Sequence, residues 1–233
     1  MLFDKDGTLF DFQASWGAIA EAMLDRLAPG PAARREMALA AGFDPETRTC
    51  RAGSVIVAEP TSALASLWAE WRPDLGPVLL ERLLNEVSEA AAPETMVTAV
   101  PDLAAFLGGL RQRGLVLGVA THDEHEAALR QLTGAGALDA FTFVAGYDSG
   151  HGLKPGPGML EAFAAATAVP AAAVMVVGDS AHDLGMARAG GAGWAIGVLS
   201  GPAVREDLAP LADHVLDTIA GLPALIDRAN APG

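Results

Sequence analysis

From residue 98 onward the chain repeats one pattern. An amphipathic stretch is followed by a short, mainly apolar run, continuous in Leu115–Ala120, and that run by a polar turn. The runs are Leu115–Ala120, Phe141–Ala145, Ala173–Val177, Trp194–Val198 and His214–Leu216. A strand with one solvated face alternates apolar and polar residues. An unbroken run instead predicts burial on both faces, as in a parallel sheet covered by helices. The intervening stretches 102–113, 124–133, 158–168, 184–189, 204–209 and 219–228 carry helical spacing. This βα alternation predicts a doubly wound, Rossmann-like parallel sheet. Met1–Phe3 adds a first strand. It is short enough to suggest that the natural start lies upstream.

Residues 13–95 break the pattern. Ala, Leu, Glu and Arg dominate, and helices are predicted over Ser15–Leu27, Ala32–Ala41, Thr61–Trp71 (starting at Pro60-Thr61) and Leu75–Ala92 (starting at Pro73-Asp74). Asp44–Glu59 reads as a loop rich in Thr, Gly and Arg. The expectation is therefore an α/β core from 1–12 and 96–233, with a small helical domain at 13–95 inserted after the first strand. Trp16, Trp68 and Trp71 are assigned to the core of that insertion.

A hydrophobic fraction of 51% with 19% charged residues indicates a globular chain. The net charge of −14 disfavours nucleic acid and anionic lipid as partners. Binding of a phosphorylated ligand then requires a cation concentrated at one place. The single cysteine, Cys50, permits no internal disulfide and has no histidine close by to pair with. No apolar run reaches the ~20 residues of a membrane span, and the N-terminus lacks the basic and long apolar regions of a signal peptide. A cytoplasmic monomer or homodimer is expected.

In open α/β sheets ligands bind beyond the carboxyl ends of the strands. There the chain carries Asp4, Asp6, Gly7 and Thr8 after the first strand, and Thr121, His122 and Asp123 after the second. Lys154 follows the third, and Gly178, Asp179, Ser180 and Asp183 follow the fourth. Crowded carboxylates repel one another and need a cation. All-oxygen donors favour a hard ion, Mg²⁺ or Ca²⁺. With a lysine and a hydroxyl at hand, the outline is that of a phosphoryl-transfer site.

Asp4-Lys5-Asp6-Gly7-Thr8, Thr121 at a strand end, Lys154-Pro155-x-Pro157 and Gly178-Asp179-Ser180-x-x-Asp183 occur in this order. Together they resemble the four motifs of the haloacid dehalogenase-like superfamily, in its phosphoglycolate phosphatase-like branch. The resemblance covers the whole predicted core, and it implies roles. Asp4 is the nucleophile that forms an aspartyl-phosphate, and Asp6 the general acid and base. Thr8, Thr121 and Lys154 bind the phosphoryl group. Asp4, the Asp6 backbone carbonyl and Asp179 hold Mg²⁺, and Asp183 acts on the metal directly or through water. Asp6 points to phosphate esters, because the superfamily's dehalogenases lack an acid at this position and its phosphonate hydrolases usually carry Ala. The insertion matches the helical cap shared by phosphoglycolate phosphatases and β-phosphoglucomutases. The implied activity is Mg²⁺-dependent hydrolysis of a small phosphorylated metabolite, with phosphoglycolate the leading candidate. The alternatives are a β-phosphoglucomutase-like mutase and a non-catalytic, receiver-like phosphoprotein.

Thr121 is followed by His122-Asp123-Glu124-His125, where phosphoglycolate phosphatase-like enzymes usually carry Asn or Gly and then Lys. His122 is a candidate for substrate binding or for capping the next helix, and Asp123 for its N-cap. His122 and His125 have the spacing of a zinc pair, yet no third ligand is evident. Asp179 is a candidate N-cap as well as a metal ligand. Arg51, and beside it Arg48, are insertion residues with the chemistry to meet a substrate's distal anionic group.

Overall fold

The computed structural model describes residues 1–59 and 61–229. They divide into two compact units, one formed by Met1–Asp11 and the chain from Thr98 onward, the other by Phe12–Val97.

The first unit opens with β1 (Leu2–Phe3), both residues fully buried. The chain then enters the second unit, with α1 (Phe12–Leu27), α2 (Pro31–Ala41), β2 (Phe43–Asp44), β3 (Thr49–Cys50), α3 (Val55–Ala58), α4 (Thr61–Trp68) and α5 (Gly76–Thr95). Helix α2 has Pro31 in its first turn and ends at Gly42, whose φ of 87° supplies the left-handed cap. Met23, Leu24, Met37, Leu64, Trp68, Leu80 and Leu84 bring α1, α2, α4 and α5 into one core.

The expected loop over Asp44–Glu59 is corrected here. β2 and β3 pair antiparallel, Phe43 with Cys50 and Asp44 with Thr49, and α3 follows. The hairpin depends on a residue some 37 positions away: Gln13 donates to the Cys50 carbonyl at 2.9 Å and accepts from its N–H at 2.8 Å. Two-residue strands leave no periodicity to read. Helix α4 stops at Trp68, short of the predicted Trp71. Its start was read from Pro60-Thr61, of which Pro60 lies outside the described residues.

On returning, the chain forms α6 (Leu103–Gln112), β4 (Gly118–Ala120), α7 (His125–Gly134), β5 (Phe143–Ala145), α8 (Gly158–Thr167), β6 (Met175–Gly178), α9 (Ala181–Ala189), β7 (Trp194–Val198), α10 (Arg205–Leu208), β8 (His214–Leu216) and α11 (Leu222–Ala229). The six strands of the first unit are parallel in the order β5-β4-β1-β6-β7-β8. The doubly wound α/β sheet is thus present. β4 is shorter than its apolar run because its neighbour β1 has only Leu2 and Phe3 to pair with Gly118 and Val119. Gly118 is needed there: a Cβ would lie 2.6 Å from the Phe163 ring that packs on the sheet. From β1 the chain runs outward to β4 and β5 on one side and to β6, β7 and β8 on the other. The carboxyl end of β1 is therefore the switch point, where such sheets open a crevice.

Candidate active site

Asp4 leaves β1 with its N–H bonded to the Val177 carbonyl of β6 at 2.8 Å. The chain then turns tightly, and the Lys5 carbonyl accepts from the N–H groups of Leu9 and Phe10 at 2.9 and 3.1 Å. Gly7, at φ 80°, permits the turn, and a Cβ there would lie 2.5 Å from the Asp179 carboxylate. Ser200, after β7, closes the far side by donating to the Gly7 carbonyl at 2.7 Å.

Lys154 is buried and reaches back to this turn. Its Nζ lies 2.7 Å from Asp4 Oδ1, 2.6 Å from Asp183 Oδ1 and 3.1 Å from the Ala120 carbonyl. All three of its donors are therefore used. Asp183, on α9, accepts at its other oxygen from the N–H and hydroxyl of Ser180, completing a capping box. Ser180 is the N-cap of α9, so the capping role considered for Asp179 is corrected and its carboxylate is left to the site. Thr121 is buried at the end of β4, and its hydroxyl accepts from the Asp123 N–H at 3.0 Å. The Thr8 hydroxyl and Asp6 Oδ1 are buried with no protein partner.

Ligand atoms of Asp4, Asp179 and Asp183 lie within 4.8 Å of one another. Three buried carboxylates face one lysine, and the chemistry of the site reflects the imbalance. Burial pushes Asp4 up from 3.8 to about 6 against the pull of Lys154, with the like charge of Asp183 adding to the rise. Asp179 is raised well above the ordinary carboxylate range by burial and by the charges of Asp4 and Asp183. Burial disfavours charge on Lys154 too, but Asp183 and Asp4 outweigh it and the ammonium is held more firmly than usual. The donor set is all oxygen and short of positive charge, which fits a hard divalent cation.

His122 does not cap a helix. Its Nε2 accepts from the Lys154 backbone N–H at 2.9 Å, a bond that requires the unprotonated nitrogen. Burial and the Lys154 charge push its pKa down to about 4. The N-cap role for Asp123 is also corrected. Glu124 occupies the cap position without a side-chain bond, and the His125 N–H is taken by Asp148 at 2.9 Å. Among the described residues the histidine pair gains no third partner that would make a zinc site.

Arg51 and Arg48 belong to the second unit. Arg51 is exposed after β3, and Arg48 pairs with Glu21 at 2.5 Å. Trp68 is fully buried and donates to the Met37 carbonyl at 3.0 Å, while Trp16 and Trp71 pack on the same core. Burial raises the Cys50 thiol to about 12, so it is no nucleophile. Sequence reasoning passed over Lys5, a fully buried cation between two motif aspartates, and Ser200. A lysine at a position bounded by Phe3 and Leu9 was the available signal.

Residues 1–196 match the family model for haloacid dehalogenase-like hydrolases. A phosphoglycolate phosphatase of Rhodospirillum rubrum is 37% identical over 134 residues, which cover 56% of this chain and 55% of that protein. The chain thus spans little more than half the length of that relative. A phosphoglycolate phosphatase of Neisseria gonorrhoeae is 28% identical over 81% of this chain and 75% of its own length. A crystal structure described as a predicted phosphoglycolate phosphatase of Haemophilus somnus superposes at a TM-score of 0.70, with 18% identity over 97% and 96% of the two chains. A β-phosphoglucomutase of Clostridium difficile superposes at 0.66, with 16% identity over 98% and 96%. At such identities these structures establish the fold alone. No helix among the described residues is long and apolar enough to cross a membrane.

Proposed function

The chain belongs to the haloacid dehalogenase-like hydrolase family, and we propose that it is a phosphatase acting on a small phosphorylated metabolite through an aspartyl-phosphate on Asp4. The observation that carries this reading is the buried ion pair between Asp4 and Lys154, set against Asp179 with Asp6 two residues away. Lys154 occupies Asp4 Oδ1, which leaves the other oxygen to attack phosphorus. As the new P–O bond forms, the ester P–O bond breaks and Asp6 gives its proton to the departing alkoxide. Asp6 then takes a proton from water, whose oxygen attacks phosphorus. The bond to Asp4 breaks, and inorganic phosphate is released. The Thr121 and Thr8 hydroxyls are the groups that would donate to phosphoryl oxygens, and the Lys154 ammonium, giving up one of its three protein acceptors, would join them. Asp4, Asp179 and the Asp6 carbonyl would hold Mg²⁺, with Asp183 beside them. The ion supplies the positive charge that three carboxylates and a phosphate dianion lack. Phosphoglycolate is the first substrate to test, because the relatives' names carry it. His122 remains a candidate for binding the rest of the substrate.

Asp4→Asn is the test. Hydrolysis of p-nitrophenyl phosphate and of phosphoglycolate should vanish while the circular dichroism spectrum and melting temperature are retained. Full activity in this variant, or in wild type with excess chelator, refutes the mechanism. Conversion of β-glucose 1-phosphate to the 6-phosphate would show a mutase instead.

A further inference from the structure

Lys5 is fully buried, and its ammonium has three side-chain acceptors. It lies 2.6 Å from Asp6 Oδ2 and 3.3 Å from Asp123 Oδ2, and it donates to Gln131 Oε1 on α7. The Phe10 ring centroid is 5.7 Å away. A lysine has three N–H donors, and the three polar partners account for all of them. The ammonium is therefore fixed between the turn after β1, the turn after β4 and α7. Asp6 is bound to this fixed point through Oδ2 alone, and its Oδ1 is buried with no protein partner. A carboxylate free to turn about its side-chain bonds would sample several positions, whereas this one is held.

We propose that Lys5 is a positioning residue for proton transfer. By holding Oδ2, with Asp123 and Gln131 as its own supports, it sets Oδ1 of Asp6 as the atom that delivers the proton to the leaving oxygen and later removes one from water. This rests on the phosphatase reading above. It also explains the burial of a lysine at a position that neither binds phosphate nor pairs with Asp4 at hydrogen-bond distance.

The test exploits leaving-group chemistry. The value of kcat/KM reports steps up to the first irreversible one, here phosphoryl transfer to Asp4. A nitrophenolate leaves without needing a proton, whereas an alkoxide needs one. In Lys5→Met, kcat/KM should fall at least about 10²-fold for an alkyl phosphate, the scale of a general-acid contribution. For p-nitrophenyl phosphate it should stay within about threefold. Asp6→Asn, which removes the acid itself, serves as the reference and should lose more on the alkyl ester than on p-nitrophenyl phosphate. An equal fall for both esters in Lys5→Met, with the asymmetry kept in Asp6→Asn, overturns the positioning role and leaves the phosphatase reading standing. Wild-type inactivity toward both esters overturns that reading and this inference together. If Lys5→Met does not fold, Gln131→Met removes one support of the ammonium. The same skew toward alkyl esters then supports the proposal, and equal losses refute it.

Discussion

Protons and a divalent cation should compete for the cluster at Asp4, and the competition has a calculable size. Asp4 sits at about 6 rather than 3.8, because burial outweighs the pull of Lys154, with the like charge of Asp183 a smaller addition to the rise. The sign follows from the raised value. The metal-free folded protein holds its proton below pH 6, and a cation must expel it. For one such carboxyl the ionised fraction falls from about 90% at pH 7 to about 10% at pH 5, so apparent Mg²⁺ affinity should fall about tenfold, or about 1.4 kcal/mol. A carboxyl at its ordinary value would lose less than about 10% of its affinity over the same interval. Asp179, raised in the same direction, steepens the dependence. The assay is calorimetric titration of chelator-treated protein with MgCl₂ at pH 5 and 7, with circular dichroism to verify the fold at both. Comparing affinities at each pH removes the contribution of His122. In the folded protein that residue titrates at about 4, below this interval, and its lowered value makes stability rise with pH, opposite in sign to Asp4. Equal affinities at the two pH values, or tighter binding at pH 5, would refute the account of the site as charge-deficient and desolvated.

Lys154→Met should destabilise metal-free protein by about 3–5 kcal/mol at pH 7 in urea denaturation, because it leaves Asp4 and Asp183 buried without their cation; a loss under about 1 kcal/mol would contradict this. Gly201→Ala should weaken Mg²⁺ binding in the same calorimetric assay, since a Cβ there would overlap the Asp179 carboxylate. In the second unit, Trp68→Ala removes a fully buried indole and its bond to Met37, and should cost about 3–5 kcal/mol in thermal or urea unfolding.

The continuous apolar run at Leu115–Ala120 and the mainly apolar runs after it made the parallel sheet legible from sequence, because burial on both faces favours apolar residues at successive strand positions. Asp4, Asp6, Thr121, Lys154, Asp179 and Asp183 were legible as a group for a related reason: each lies just beyond a strand, and parallel strands bring all such positions to one edge. What the tertiary structure decided was pairing. Lys5 meets Gln131 across some 126 positions, Lys154 meets Asp4 across 150, and His122 accepts from the Lys154 backbone across 32. Asp148 serves the start of α7 in place of Asp123, and Gln13 holds a hairpin that reads as loop. Strand and helix periods arise from neighbours a few residues apart. Which oxygen meets which nitrogen depends on how those elements pack, and no local pattern records it. Sequence alone therefore determined the chemistry gathered at the end of β1. The fold decided that a buried lysine between the two motif aspartates grips the second of them and leaves the first to Lys154.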